Sequence, residues 1–156
     1  MSEVMITGSF DPITLGHMDI IKRAAELFSS VAVVMFINPE KEYMFTLEQR
    51  FSMIKSSCEK ISGVRVDYSE GMVVDYVKDH NIKAILRGVR NAQDYEYEKQ
   101  MALFNKINGG VETIFLSAKE ELEHCSSTLA RRMIKNGEIP KGILPQEIIE
   151  MPNRPF

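Results

Sequence analysis

The 156 residues carry 19 Lys and Arg against 22 Asp and Glu, a formal charge of −3, with 44% hydrophobic and 26% charged residues. That is the composition of a soluble globular protein, long enough for one domain with a core that needs no staples. The acidic balance argues against a general nucleic-acid binder, no apolar run approaches the ~20 residues that span a bilayer, and no basic stretch followed by an apolar one marks a secretory leader, so a cytoplasmic protein is expected.

The first strand is expected at residues 4–7. It runs into Gly8-Ser9-Phe10-Asp11-Pro12-Ile13-Thr14-Leu15-Gly16-His17, after which Met18, Ile21, Ala24, Ala25 and Phe28 recur at helical spacing. Gly8 lets the backbone approach a ligand or take positive φ. Asp11-Pro12 marks a tight turn, and Thr14 is placed to cap the helix. The free N–H groups of that helix start, with His17 in its first turn, suit a phosphate. Read alone, the same segment also serves as a plain strand-to-helix connection. A second strand, 31–37, shows no polar alternation, as in a strand covered on both faces. It empties into Asn38-Pro39-Glu40-Lys41, where the proline stiffens the loop and Lys41, on chemistry alone, reads as an ordinary surface lysine. Thr46-Leu47-Glu48-Gln49 has the pattern of a capping box. The helix it opens carries a stripe of Leu47, Phe51, Ile54, Cys58 and Ile61. Cys58 and Cys125 are too far apart in sequence for a disulfide framework or zinc site, and Cys58 reads as a small buried hydrophobe.

Further strands are expected at 64–68, 84–86 and 113–116, with a short helix over 72–80 and a longer one over 92–107. Arg87-Gly88-Val89-Arg90 sets two guanidinium groups about a glycine at a strand exit, suited to bidentate phosphate binding. Asp94 to Glu98 puts acidic residues at a helix start, where the dipole favours them. Ser126-Ser127-Thr128 offers three hydroxyls at another helix start, where capping uses one and a phosphate could use the rest. Prolines 140, 145, 152 and 155 predict a short terminal helix and a loose tail.

Strands alternating with helices imply parallel strands joined by right-handed crossovers. The expected architecture is one α/β domain over residues 1–156, Rossmann-like, with a doubly wound parallel five-stranded sheet in the order 3-2-1-4-5 and C-terminal helices. In that order the first and fourth strands flank the switch point. Gly8-Ser9-Phe10 and Arg87-Gly88-Val89-Arg90 should therefore converge on one crevice.

Thr14-Leu15-Gly16-His17 resembles the T/HxGH signature of nucleotidyltransferases, and Gly8 to Pro12 resembles the G-T-F-D-P element of phosphopantetheine adenylyltransferases. Four later segments are similar to elements of the same family, in family order. They are Asn38-Pro39-Glu40-Lys41 with Met44-Phe45-Thr46, Gly71 to Tyr76, Arg87 to Arg90 with Asp94 to Glu98, and Cys125 to Thr128. Ser9 stands where threonine is usual, keeping the hydroxyl, and Cys125 stands where an aliphatic residue is usual. The resemblance implies transfer of AMP from ATP to 4′-phosphopantetheine, giving dephospho-coenzyme A and pyrophosphate. It implies catalytic roles for His17, Lys41 and Arg90. ATP contacts would come from Ser9, Phe10, His17, Gly88, Val89, Arg90, Glu98, Leu122, Glu123, His124, Cys125, Ser126, Ser127 and Thr128. Acceptor contacts would come from Ser9, Lys41, Val73 and Arg87. Mg²⁺ is implied as the cation of the polyphosphate, with no protein ligand set for it. A homo-hexamer and feedback by coenzyme A are implied likewise, with no nucleic-acid or membrane partner. Two other readings share parts of this pattern. A nicotinate-mononucleotide adenylyltransferase would have the His17 loop and the Ser126-Ser127-Thr128 run, but would not be expected to carry both the Lys41 and Arg87–Arg90 elements. A non-catalytic nucleotide-binding module would have no reason to retain His17, Lys41 and Arg90 together.

Overall fold

A computed structural model describes residues 3–156. Five strands, β1 (Val4–Gly8), β2 (Val31–Phe36), β3 (Val64–Ser69), β4 (Ala84–Val89) and β5 (Glu112–Ser117), form one parallel sheet in the order β3-β2-β1-β4-β5. The helices are α1 (Leu15–Leu27), α2 (Leu47–Cys58), α3 (Val73–Asp79), α4 (Ala92–Gly109), α5 (Ser127–Lys135) and α6 (Gln146–Ile149). The parallel architecture is that expected from the alternating pattern, and the strand order is the commonest one for five such strands, as assumed.

The pleat explains why β2 lacks alternation. Val31, Val33 and Met35 point into one core with α1, α2, α5 and α6, whereas Ala32 and Val34 point into another with α3. Both faces are dry, so every residue from Val31 to Met35 is apolar and buried. β1 and β4 divide in the same way, with Ile6 and Leu86 on the first face and Met5 and Ile85 on the second.

The crevice originates in strand pairing. β1 and β4 are in register only from Val4↔Ala84 to Ile6↔Leu86. β1 nevertheless continues beside β2 to Gly8↔Met35, and β4 continues beside β5 to Val89↔Ser117. The two central strands thus part at their carboxyl ends, where the chain leaves them toward opposite faces. β4 is longer than the expected 84–86 because Arg87, Gly88 and Val89 find partners on β5.

Two details differ from the sequence reading. The buried face of α2 is Arg50, Met53, Ile54, Ser57 and Cys58, rotated from the expected stripe, with Leu47, Phe51 and Ile61 only partly covered. The tail after α6 is not loose. Arg154 Nη1 donates to the Ile149 carbonyl at 2.8 Å, and the Phe156 ring lies 6.1 Å from that of Phe45. An aromatic residue at the end of the chain finds a place on the core, which the prolines gave no reason to expect. Cys58 is buried as expected, and burial pushes its thiol up to about 11.

Candidate active site

The loop after β1 and the start of α1 fold around Thr14. Its hydroxyl accepts from the His17 backbone N–H, and its own backbone N–H donates to His17 Nδ1 at 3.0 Å. This is a capping box with histidine in the place usually taken by Glu or Gln. It has a chemical consequence. A backbone N–H can only donate, so Nδ1 carries no proton and the neutral ring bears its hydrogen on Nε2. Burial, with Arg87 and Arg90 adding positive charge nearby, pushes the imidazole down to about 4. His17 is therefore a neutral N–H donor held at the edge of the crevice, its ring 5.0 Å from that of Phe10 in an edge contact.

Phe10, not Gly8, takes the left-handed conformation, with φ of 46°. Gly8 serves close approach instead, because a Cβ there would lie 3.1 Å from the end of the Phe10 ring. Asp11 is buried, and its two carboxylate oxygens accept from the Met44 and Phe45 backbone N–H groups at 2.9 and 3.0 Å. The loop after β1 is thus tied to the segment that follows Lys41, whose Nζ donates to Ser9 Oγ at 3.4 Å.

From the other side, Arg87 meets Glu98 with two bonds, Nε to Oε2 at 2.9 Å and Nη2 to Oε1 at 2.7 Å, and also donates to the Thr7 hydroxyl at 3.0 Å. Arg90 pairs with Asp94, and this bond holds the Asp94 carboxyl below its usual range. Gly88 lies against α1, where a Cβ would stand 2.9 Å from Ile20. At the start of α5, Ser126 Oγ accepts from the Leu129 N–H as the cap. Ser127 Oγ donates to the Pro12 carbonyl at 2.8 Å, and Thr128 accepts from Arg131 at 3.2 Å.

Together these segments line a crevice of about 540 Å³ at the split between β1 and β4. Ser9, Phe10, His17, Lys41, Arg87, Gly88, Arg90, Glu98, Leu122, Cys125, Ser126, Ser127 and Thr128 all face it. A helix N-terminus, the basic side chains of Lys41, Arg87, Arg90 and Arg131, and hydroxyl groups in one cleft form an anion site with room for a nucleotide.

The sequence profile of the cytidylyltransferase-like family matches residues 5–133. Among curated relatives, a phosphopantetheine adenylyltransferase of Thermotoga neapolitana is 45% identical over 141 residues, covering 89% of this chain and 88% of its own. That of Clostridium tetani is 41% identical over 151 residues, covering 96% and 94%. The chain belongs to the phosphopantetheine adenylyltransferase family. A solved bifunctional NMN adenylyltransferase/ADP ribose pyrophosphatase from Francisella tularensis, complexed with AMP and a manganese ion, shares the fold. It superimposes with a TM-score of 0.66 at 18% identity over 92% of this chain, which spans only 44% of that protein.

Not every residue expected from the family motifs reaches the crevice. Val73 opens α3 and packs against the second core, while Val89, Glu123 and His124 stand outside the lining. Four residues given no role from sequence do take part in it or support it. Arg131 lies on the same face of α5 as Thr128, three residues on, and donates to the Asp11 carbonyl at 2.7 Å. Asp94 and Tyr97 line the cleft from α4. Arg50, from α2, donates to the Ser9 carbonyl at 2.9 Å. The spacing of Thr128 and Arg131 was a usable signal. Arg50 closes the family's F-(S/T)-x-E-x-R pattern in Phe45 to Arg50, which was the available signal, although its residue type alone reads as a solvated helix arginine.

Proposed function

We propose that this protein transfers AMP from ATP to 4′-phosphopantetheine, releasing pyrophosphate and dephospho-coenzyme A. The observation that carries the reading is near full-length identity of 45% with a curated phosphopantetheine adenylyltransferase. The chemistry suits the cleft. A phosphate oxygen of the acceptor attacks the α-phosphorus of ATP, one P–O bond forms, and the bond to pyrophosphate breaks. The attacking phosphate is ionised at neutral pH and needs no base. His17 instead offers an N–H for charge building on the α-phosphoryl oxygens, assisted by Lys41 and Arg90. Ser9, Lys41 and Arg87 are assigned to the acceptor phosphate, with Glu98 orienting Arg87 as well as facing the nucleotide. Ser127, Thr128 and the N–H groups of α5 are assigned to the nucleotide phosphates.

Mg²⁺ fits as part of the substrate. Each acidic group of the crevice is already engaged: Asp11 by two backbone N–H groups, Asp94 by Arg90 and Glu98 by Arg87. Among the described residues no three acidic, histidine or cysteine side chains form a metal cluster. The cation would accompany ATP, held by phosphate oxygens and water, and no residue of this chain is assigned to it.

A homo-hexamer is part of the same reading. It is supported by α4, where Asn105 is the buried residue while Tyr97, Leu103 and Ile107 are 66%, 61% and 72% exposed. Feedback by coenzyme A, which carries the product's pantetheine and adenylate portions, and a cytoplasmic setting complete it. No helix among the described residues is long and apolar enough to cross a membrane.

Pyrophosphate release from Mg-ATP tests the reading. Turnover is expected with 4′-phosphopantetheine and not above background with nicotinate mononucleotide. The reverse preference, or no turnover with either, would remove it.

A further inference from the structure

Arg50 is 2% exposed, yet among the described residues no carboxylate pairs with it. A buried, unbalanced guanidinium is costly, so its surroundings must hold it in place. Two contacts do so. Nη1 donates to the Ser9 carbonyl at 2.9 Å, and the guanidinium carbon lies 3.8 Å from the centre of the Tyr43 ring. The Nε hydrogen is left without a partner. Tyr43 is itself committed, since its hydroxyl accepts from the Asn38 backbone N–H at 2.9 Å. Between these two residues the chain makes a closed loop, with the Lys41 N–H donating to the Asn38 carbonyl and the Glu40 N–H to Asn38 Oδ1. Lys41 Nζ stands 5.6 Å from the same ring before reaching Ser9 Oγ. The loop after β2 thus rests, through one tyrosine ring, on the arginine that holds the loop after β1.

We propose that Arg50 and Tyr43 are positioning residues that set Lys41 and Ser9 against each other, and that the unpaired charge of Arg50 biases this end of the crevice toward a phosphate dianion. Neither touches the reacting atoms. Arg50 fixes the Ser9 backbone from beneath, and Tyr43 carries the Lys41 loop on the flat face of the guanidinium. The proposal rests on the adenylyltransferase reading and adds to it two residues that act, through Lys41 and Ser9, on binding of the acceptor and on turnover rather than on the binding of ATP. The nucleotide end of the cleft is built from α5 and β4, which Arg50 and Tyr43 do not contact through any of these bonds.

The test is a split between substrates. In Tyr43→Leu the KM for 4′-phosphopantetheine should rise on the order of tenfold, as for loss of a desolvated cation–π contact. The KM for ATP should stay within about twofold, because the nucleotide groups are untouched. Tyr43→Phe keeps the ring over Arg50 and should lie much closer to the unaltered protein. Arg50→Lys keeps the charge without the flat face and, where it folds, should behave like Tyr43→Leu. A merely structural role would lower the amount of active enzyme or the melting temperature while leaving both KM values alone. Unchanged KM for the acceptor in Tyr43→Leu, or equal rises for both substrates, would overturn the positioning role while the adenylyltransferase reading stands. Absence of turnover in the unaltered protein would overturn that reading itself, and the two residues' role with it.

Discussion

His17 gains its character from one hydrogen bond. Thr14 N–H takes Nδ1, so Nε2 presents a proton to the crevice and the ring stays neutral down to about 4. His17→Ala should lower kcat by on the order of a hundredfold to a thousandfold, like loss of an oxyanion-hole donor, with smaller changes in both KM values. His17→Asn or His17→Gln, which keep an N–H, should recover part of the rate, and a leucine should not. Near-normal kcat in His17→Ala would leave the loop with a binding role only. The same group makes a prediction about stability. The unfolded imidazole titrates near 6.5 and the folded one near 4, so between these values the unfolded chain binds more protons. The contribution is therefore complete above about pH 6.5 and is lost as the pH falls toward 4, by up to about 3 kcal/mol. Urea unfolding of His17→Gln should lack that part of the acid-side loss, and identical pH dependence in both proteins would contradict it. Arg87 and Glu98 are a second coupled pair. Arg87→Met should raise the KM for the acceptor roughly tenfold to a hundredfold, whereas Arg90→Met should act on kcat. If Glu98 serves only to orient Arg87, adding Glu98→Gln to Arg87→Met should change nothing further. An added rise in the KM for ATP would place Glu98 on the nucleotide as well.

At the scale of elements, the site depends on how closely α1 lies on β4. Gly88 is the point of contact, and the added methyl of Gly88→Ala would stand 2.9 Å from Ile20 Cγ1. Neither a strand in register with β5 nor a helix capped at Thr14 moves freely. The substitution should cost about 1–3 kcal/mol through overpacking and lower kcat by displacing the helix that carries His17. Ile20→Ala opens the same space at the expense of a cavity. The double variant should be more stable than the sum of the two single losses, as read from urea midpoints. Simple additivity would mean that this contact does not set the helix position. The cap at Thr14 and the capping box at Thr46 were legible because they need only residues three apart, whereas the reciprocal bond from the Thr14 N–H to His17 was not read. The contact between Gly88 and Ile20 was not legible, because the two residues are 68 positions apart in sequence and neither is unusual in its own segment.

At the scale of the molecule, α4 is the element that one chain leaves uncovered. Its apolar side chains face outward, and Ile107 packs on nothing that the fold requires. Light scattering should give a mass six times the 17.8 kDa of one chain. Ile107→Lys should reduce that mass while leaving the melting of the isolated chain little changed, since an exposed position contributes little to folding. A monomer in the unaltered protein would remove the hexamer from the proposed function without touching the reaction.

The sequence by itself determined the element types and the motifs of the cleft, whereas the order 3-2-1-4-5 was assumed as the commonest one for five parallel strands and is borne out by the sheet. The element types and motifs follow from short-range patterns: dry strands with apolar runs, caps at fixed spacing, and loops whose glycines and charges stand side by side. Within those motifs it placed Ser9, His17, Lys41, Arg87 and Arg90 in one crevice. The tertiary structure alone decided three things. It parted β1 from β4 after Ile6 and Leu86, which sets where the crevice opens. It packed Val73 against the second core and left Val89, Glu123 and His124 outside the residues that line the crevice, placements that depend on how each element packs against the others. It also buried Arg50 beneath Ser9 and fastened Phe156 to Phe45. Those contacts join segments 41 and 111 residues apart. Pairings at such distances leave no periodicity in the chain, because they are selected by the shape of a core that exists only once the sheet has formed.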